Sequence, residues 1–141
     1  MSIWYNKKPF AEIDFVKTRS MMDHLGIEFL DRTENSLVAR MPINEKTKQP
    51  FGIMHGGASA ALAETVGSIA ANMTLNTEEE RAVGLELNIS HLKMVKEGWV
   101  TATATPIKLG STIQIWEIKV QNDEGKLVSH SKLTMMVLKN R

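Results

Sequence analysis

The residue that first invites chemistry is a glutamate standing alone in an apolar run. In "GGASAALAETVGSIA" (residues 56–70), Glu64 is the sole charged side chain among alanine, leucine, valine and isoleucine. It follows Gly56 by eight residues, a little over two helical turns, so its side chain projects near the face of the helix mouth. Ser68 lies one further turn along, at the i+4 position where side chains meet. Gly56 and Gly57 allow another group to approach the first backbone N–H groups of the helix closely. Those unpaired donors, at the positive end of the helix dipole, can polarise a carbonyl and hold a developing oxyanion. A carboxylate beside such a pocket can attack the polarised carbon or activate a water. One segment thus holds the parts of an acyl-transfer site. Plainer readings exist: a lone buried glutamate can pair with a base or face a wet subunit interface, two glycines can be a turn, and His55 can be an ordinary loop residue.

Other chemistries are poorly served. The chain has no cysteine, which removes disulfides, thiolate metal sites and cysteine nucleophiles, and fits a reducing cytoplasm. His24, His55, His91 and His130 show no ligand spacing, so no metal site is expected, and no nucleotide-binding fingerprint occurs. "GASAA" around Ser59 lacks the second glycine of a nucleophile elbow. Seventeen basic against sixteen acidic residues leave a net charge of +1, which argues against a nucleic-acid partner. No stretch approaches the roughly 18 apolar residues of a membrane span, and no signal-peptide core is present. The expectation is a soluble, cytoplasmic chain whose 141 residues form one domain.

The elements that must position these residues can be read from periodicity. Residues from about Pro9 to Leu25 are helical in pieces, with Ser20 as N-cap and Gly26 as stop. Short strands are expected over Ile27–Leu30 and Ser36–Pro42, followed by a polar loop, "INEKTKQPFG". Gly56 to about Leu75 is the one long helix, apolar on every side and therefore expected to be buried all round. Four long strand-like runs follow, at Ala82–Leu92, Trp99–Leu109, Thr112–Gln121 and Lys126–Leu138. Turn residues between them suit an antiparallel meander. A slip of alternation between Ile115 and Trp116 predicts a bulge there. The implied fold is α+β: a long curved antiparallel sheet around one buried central helix. Its free edges need cover, and pairing through an edge strand supplies it.

The segment "QPFGIMHGGASAALAETVGS" closely resembles the active-site segment of hotdog-fold acyl-CoA thioesterases. The branch is the one similar to the Arthrobacter-type 4-hydroxybenzoyl-CoA, phenylacetate-pathway and bacterial menaquinone- and enterobactin-pathway thioesterases. "HLGIEF", "MPINEKTKQPFG", "VGLELNISHLK" and "LGSTIQIWEI" extend the likeness from about residue 20 onward, which makes residues 1–19 an N-terminal extension of a single hotdog domain. The resemblance implies hydrolysis of an acyl-CoA or acyl-carrier thioester without a cofactor. It makes Glu64 the nucleophile or general base, and the Gly56 N–H the group that polarises the thioester carbonyl. Gln49 and His55 become the residues that orient thioester or water, and Ser68 the hydroxyl that helps place the water. Gly57, His91, Lys93 and Ser111 become substrate-binding residues. Ser111 departs from the pattern, because relatives commonly carry Arg there, near the nucleotide end of coenzyme A. Lys93, Lys96, Lys108 and Arg81 are either partners of the coenzyme A phosphates or solvated surface charges. The resemblance also implies a site formed between two subunits of a homodimer, paired into a homotetramer. Two other activities of the fold stay open at this point: dehydration of a hydroxyacyl thioester, and binding of an acyl thioester without turnover.

Overall fold

The computed structural model describes residues 1–15 and 19–141. A 3₁₀ turn at Phe10–Glu12 and the short helix α1 (Met21–His24) precede strands β1 (Glu28–Arg32) and β2 (Leu37–Pro42). The long helix α2 (Gly56–Met73) leads to β3 (Glu80–His91), β4 (Trp99–Leu109), β5 (Ile113–Asn122) and β6 (Leu127–Lys139). The expected helical pieces before Leu25 are thus a 3₁₀ turn and α1, and the part over residues 16–18 lies outside the described residues. Ser20 precedes α1 without a side-chain capping bond, whereas Gly26 ends the segment at φ 75°, a conformation that favours glycine.

All six strands join one antiparallel sheet in the order β1-β2-β4-β5-β6-β3. Helix α2 packs against five of them, β2 to β6, so the sheet curls round the helix in the hotdog arrangement. The meander holds for β4-β5-β6 only. β3 crosses to the far edge and pairs with β6, and its other side has no partner strand among the described residues. Its return to β4 is fastened in passing: Leu92 and Lys93 N–H groups donate to Val128 O, Met54 N–H donates to Val95 O, and Val95 is buried.

Two further expectations differ in detail. α2 buries Ala58, Leu62, Ala63, Val66, Ala70, Ala71 and Met73, but Gly57 and Glu64 are exposed and Ala60, Ala61, Thr65 and Ser68 are half-exposed. One chain therefore covers one side of this apolar helix and leaves a small-residue face open. The bulge lies across from the predicted position: β5 alternates without a break, and Ile107 is the extra residue in β4 between Pro106 and Lys108. Gln114 accounts for the apparent slip. It is buried with its polar groups satisfied, its Nε2 donating to Thr74 Oγ1 at 2.9 Å and its Oε1 accepting from Trp116 Nε1 at 2.8 Å.

The first fifteen residues form a fastened strap. Trp4 is buried and stacks on Trp116 with ring centroids 6.3 Å apart, and its Nε1 donates to Thr33 O. The N–H groups of Tyr5 and Asn6 donate to Met73 O, occupying a carbonyl that the C-terminus of α2 would otherwise leave unpaired. Arg32 donates to Asn6 O and Lys8 O and lies over the Trp4 ring.

Candidate active site

The mouth of α2 is built by a tight loop. Thr47, itself buried, donates from Oγ1 to Pro42 O and accepts from Asn44 N, and its carbonyl accepts from His55 N. Gln49 closes the next turn, its side chain accepting from Phe51 N. His55 then serves as the N-cap of α2, its Nδ1 accepting from Gly57 N at 2.7 Å. This is an architectural task for a residue expected to orient the substrate, and it requires Nδ1 to carry no proton. The Ala58 and Ser59 N–H groups donate to His55 O. Of the first four N–H groups of the helix, Gly56 alone has no acceptor among the described residues. The sequence marked the glycine pair as permissive; the structure singles out which donor is spare.

That donor opens on a cavity of about 580 Å³ lined by Gln49, Ile53, Met54, Gly56, His91, Leu92, Lys93, Met94 and Val95. His91, from the end of β3, lies so close that a Cβ placed on Gly56 would meet its Nε2 at 3.1 Å. Gln49, Gly56, His91 and Lys93 are therefore brought together. An adjoining groove of about 470 Å³ carries Lys93 and Lys96 further along the same edge.

Glu64 and Ser68 stand apart from this cavity within the chain. Eight residues of helix place Glu64 about 12 Å from Gly56 along the axis. Its Oε2 would lie 3.3 Å from a Cβ on Gly84, in the edge strand β3. Glu64 makes no ion pair among the described residues, so no described basic group explains its presence. Gly84 was missed as a site residue, although a glycine inside "AVGLELNISHL" is a signal of close approach. Here it makes room for the carboxylate, immediately before the bulge that leaves Leu85 unpaired between Gly84 and Glu86. Asn72, one turn beyond Ser68, was also missed. Its Nδ2 donates to Ser68 O and Ala82 O and its Oδ1 accepts from Ala82 N, tying the helix to β3.

Ser111 lies in the β4–β5 turn, at the opposite end of the sheet from the helix mouth, with Lys108 and the start of β3 at Arg81 on the same side. One chain does not unite it with Lys93. Ser59 is buried and shares a 3.2 Å hydrogen bond with Ser129, which places it in the core. Among the described residues no three His, Asp or Glu side chains cluster as metal ligands, and no helix is long and apolar enough to cross a membrane.

With this geometry in hand, likeness to known proteins becomes informative. Residues 51–129 match the family model described as the thioesterase superfamily. The chain is 38% identical over 136 residues to the 1,4-dihydroxy-2-naphthoyl-CoA hydrolase of Escherichia coli K12, covering 96% of this chain and 98% of that one. A thioesterase from Haemophilus influenzae superposes with a TM-score of 0.92 at 42% identity, over 97% of this chain and 95% of the other. A Staphylococcus aureus Mu50 thioesterase gives 0.81 at 34% identity, over 83% and 97%. The S. aureus protein has been solved with a glutamine replaced by alanine and, separately, with a glutamate replaced by alanine.

Proposed function

The chain belongs to the thioesterase superfamily and hydrolyses acyl thioesters, and on that premise we propose that its substrate is an acyl-CoA cleaved in a site shared by two copies of the chain. The observation that carries this reading is the partition of the machinery. The spare donor, Gly56 N–H, opens on the cavity with Gln49, His91 and Lys93, while Glu64 stands exposed about 12 Å down the helix beside an unpaired edge strand. A second copy docked against β3 supplies a Glu64 to each mouth and covers the open face of α2. The acyl-CoA assignment draws support from the E. coli relative, whose name specifies a CoA thioester. The glutamine and glutamate replaced in the S. aureus protein are separated by the same interval as Gln49 and Glu64, which supports these two as the reacting pair.

In this mechanism the thioester carbonyl accepts from Gly56 N–H, and the positive end of α2 stabilises the oxyanion as it forms. Gln49 orients the thioester. Glu64 of the second copy either deprotonates a water that adds to the carbonyl carbon as the C–S bond breaks, or adds itself to give an anhydride that water then hydrolyses; its Ser68 helps place that water. The thiolate leaves along the His91 side, and Lys93 and Lys96 face the coenzyme A phosphates. His55 acts on the reaction through Gly57: by occupying that N–H it leaves a single donor aimed at the substrate. Dimers pair into tetramers, and the enzyme works in the cytoplasm without a cofactor.

Mixing two inactive variants tests the shared site. Gly56→Pro removes the N–H yet suits the first helical position, where the missing donor costs no helix bond. Glu64→Gln removes the base. If Gly56 and Glu64 act across the interface, a refolded equimolar mixture regains about a quarter of wild-type activity by random pairing, since half the dimers contain one intact site. A mixture as inactive as its components places both residues in one chain's own site and overturns the shared-site reading.

A further inference from the structure

The edge strand β3 does not offer its whole length for pairing. In an antiparallel sheet the N–H and C=O of one residue point to the same side, alternately toward one neighbouring strand and the other. Ala82 stands opposite Val137 of β6, but Val137 N–H donates to Thr112 O on the β5 side. The two backbone groups of Ala82 therefore point the other way, to the open edge, and there they are already taken. Asn72, in the last turn of α2, accepts from Ala82 N–H at Oδ1 (2.9 Å) and donates from Nδ2 to Ala82 O (3.1 Å). These are the two bonds that a neighbouring strand would make. The same Nδ2 donates to Ser68 O at 2.9 Å, which fixes the amide on the helix. Past this plug, residues 83–91 have no strand beside them on the outer side among the described residues.

The plug moves the centre about which β3 can pair with a second copy of itself. Two identical strands related by a two-fold axis pair most fully when the axis passes through their common midpoint. For the whole of β3 (Glu80–His91) the midpoint falls between Leu85 and Glu86; for residues 83–91 it is Leu87. With Leu85 passed over as the bulge residue, pairing centred on Leu87 sets Gly84 opposite Ile89 of the second copy and Val83 opposite Ser90. Gly84, Leu87, Ile89 and His91 all face buried residues of β6 (Met135, Leu133, Ser131 and Ser129) and so share the helix side of the sheet. The second copy's His91 then comes next along from Gly84 on that side. Gly84 lies under Glu64, and His91 lies against Gly56. This register brings Glu64 of each copy to the Gly56 mouth of the other.

We propose that Asn72 sets the register of β3 against a second copy: by occupying Ala82 it confines pairing to residues 83–91 and so lines up Glu64 with the second copy's Gly56. The proposal rests on the shared-site reading above. Asn72 acts through the strand and is a positioning residue. A centre displaced by one residue slides the second copy by two, about 7 Å, far beyond the ~1 Å misplacement that already costs on the order of 10²-fold. Such a slip keeps every side chain on its own face, so burial alone does not prevent it.

The chain has no cysteine, so single introduced cysteines report the register without background. A residue at the two-fold centre lies about 5 Å from its own copy, within disulfide reach, whereas its sequence neighbour lies about 8 Å from its copy, outside it. Leu87→Cys is expected to give a linked dimer on mild oxidation with diamide, and Glu86→Cys is not. In an Asn72→Leu background, linking at Leu87→Cys should fall and linking at Glu86→Cys should appear. Without either cysteine, Asn72→Leu should lower kcat for acyl-CoA about 10-fold or more with KM little changed. Asn72→Asp, which loses only the Nδ2 donor, keeps the test decisive if the leucine variant does not fold; a tie that merely stabilises the fold would lower the melting temperature and leave the linking pattern in place. No linking at Leu87→Cys with Asn72 intact, or an unchanged pattern and kcat in a folded Asn72 variant, overturns the proposal. An active monomer on sedimentation fails differently: it overturns the shared-site reading, and the register falls with it.

Discussion

Glu64 and Gly56 make predictions that separate chemistry from architecture. Glu64→Gln keeps the shape and removes the base, and general-base catalysis alone is worth about 10²–10⁴-fold. The expected outcome is a kcat lowered at least ~10²-fold, with KM little changed because the helix mouth still grips the thioester. Thermal midpoint and kcat are measured together; near-normal turnover with a depressed midpoint would show a merely structural carboxylate. The exposed position of Glu64, without an ionic partner among the described residues, favours the catalytic outcome. At Gly56 the informative contrast is proline against alanine. Gly56→Pro deletes the one spare donor, and loss of one such donor typically costs about 10²–10³ in kcat. Gly56→Ala retains it and asks only that the exposed His91 ring yield a few tenths of an ångström from the 3.1 Å contact. Alanine is therefore expected to stay well above proline in steady-state kcat, and equal losses would assign the effect to crowding of His91.

At the scale of elements, β3 and α2 work as a pair. Gly84 sits under the Glu64 carboxylate, beside the β3 bulge, and a side chain there points at Oε2. Valine suits a strand, so Gly84→Val is expected to keep β3 and displace the carboxylate. A misplacement of about 1 Å can cost on the order of 10²-fold, so kcat should drop by roughly 10-fold or more while the melting temperature moves by only a few degrees. Unchanged kcat in the folded variant would detach Gly84 from the site. Asn72 explains why the pair holds its spacing: three hydrogen bonds tie it to Ser68 O and to both backbone groups of Ala82. Gly67 sets the depth of the helix. A Cβ there would lie 2.6 Å from Leu133 Cδ2, so its absence lets α2 settle onto the β5–β6 floor.

At the scale of the molecule, the open edge at β3 bears on assembly. β3 is twelve residues long, unpaired on its outer side among the described residues, and exposes Val83 and Leu85, which is the kind of edge that soluble proteins cover. Sedimentation at micromolar concentration is expected to give at least two copies of the 15.8 kDa chain, with four expected from the family resemblance. A folded, active monomer would refute both the assembly and the shared site. Charges on β3 that disrupt pairing, placed away from Gly84, should lower activity in parallel with the dimer fraction.

What could be read along the chain was what local physics sets. Hydrophobic period identified all six strands and α2 within a few residues, because side-chain alternation and helical spacing are properties of neighbours. The glycine pair and the lone Glu64 offered the parts of an acyl-transfer site, and the resemblance of the whole segment to thioesterases supplied the activity. The strand order was not legible, since β3 carries no local mark that sends it past its sequence neighbour to the edge beside β6. Nor was the buried Gln114, whose partners Thr74 and Trp116 meet it only in the folded core and turn an apparent slip into regular alternation. Spacing put Glu64 near the face of the helix mouth; in the folded chain eight residues of helix carry it to Gly84, outside the cavity at Gly56, whose wall is a loop after β3 that no periodicity reports. The capping bond from Gly57 N–H to His55 Nδ1 was not legible either, because it depends on how the loop enters α2. Local propensity determined which elements form, and long-range closure of the sheet around α2 decided which residues face one another.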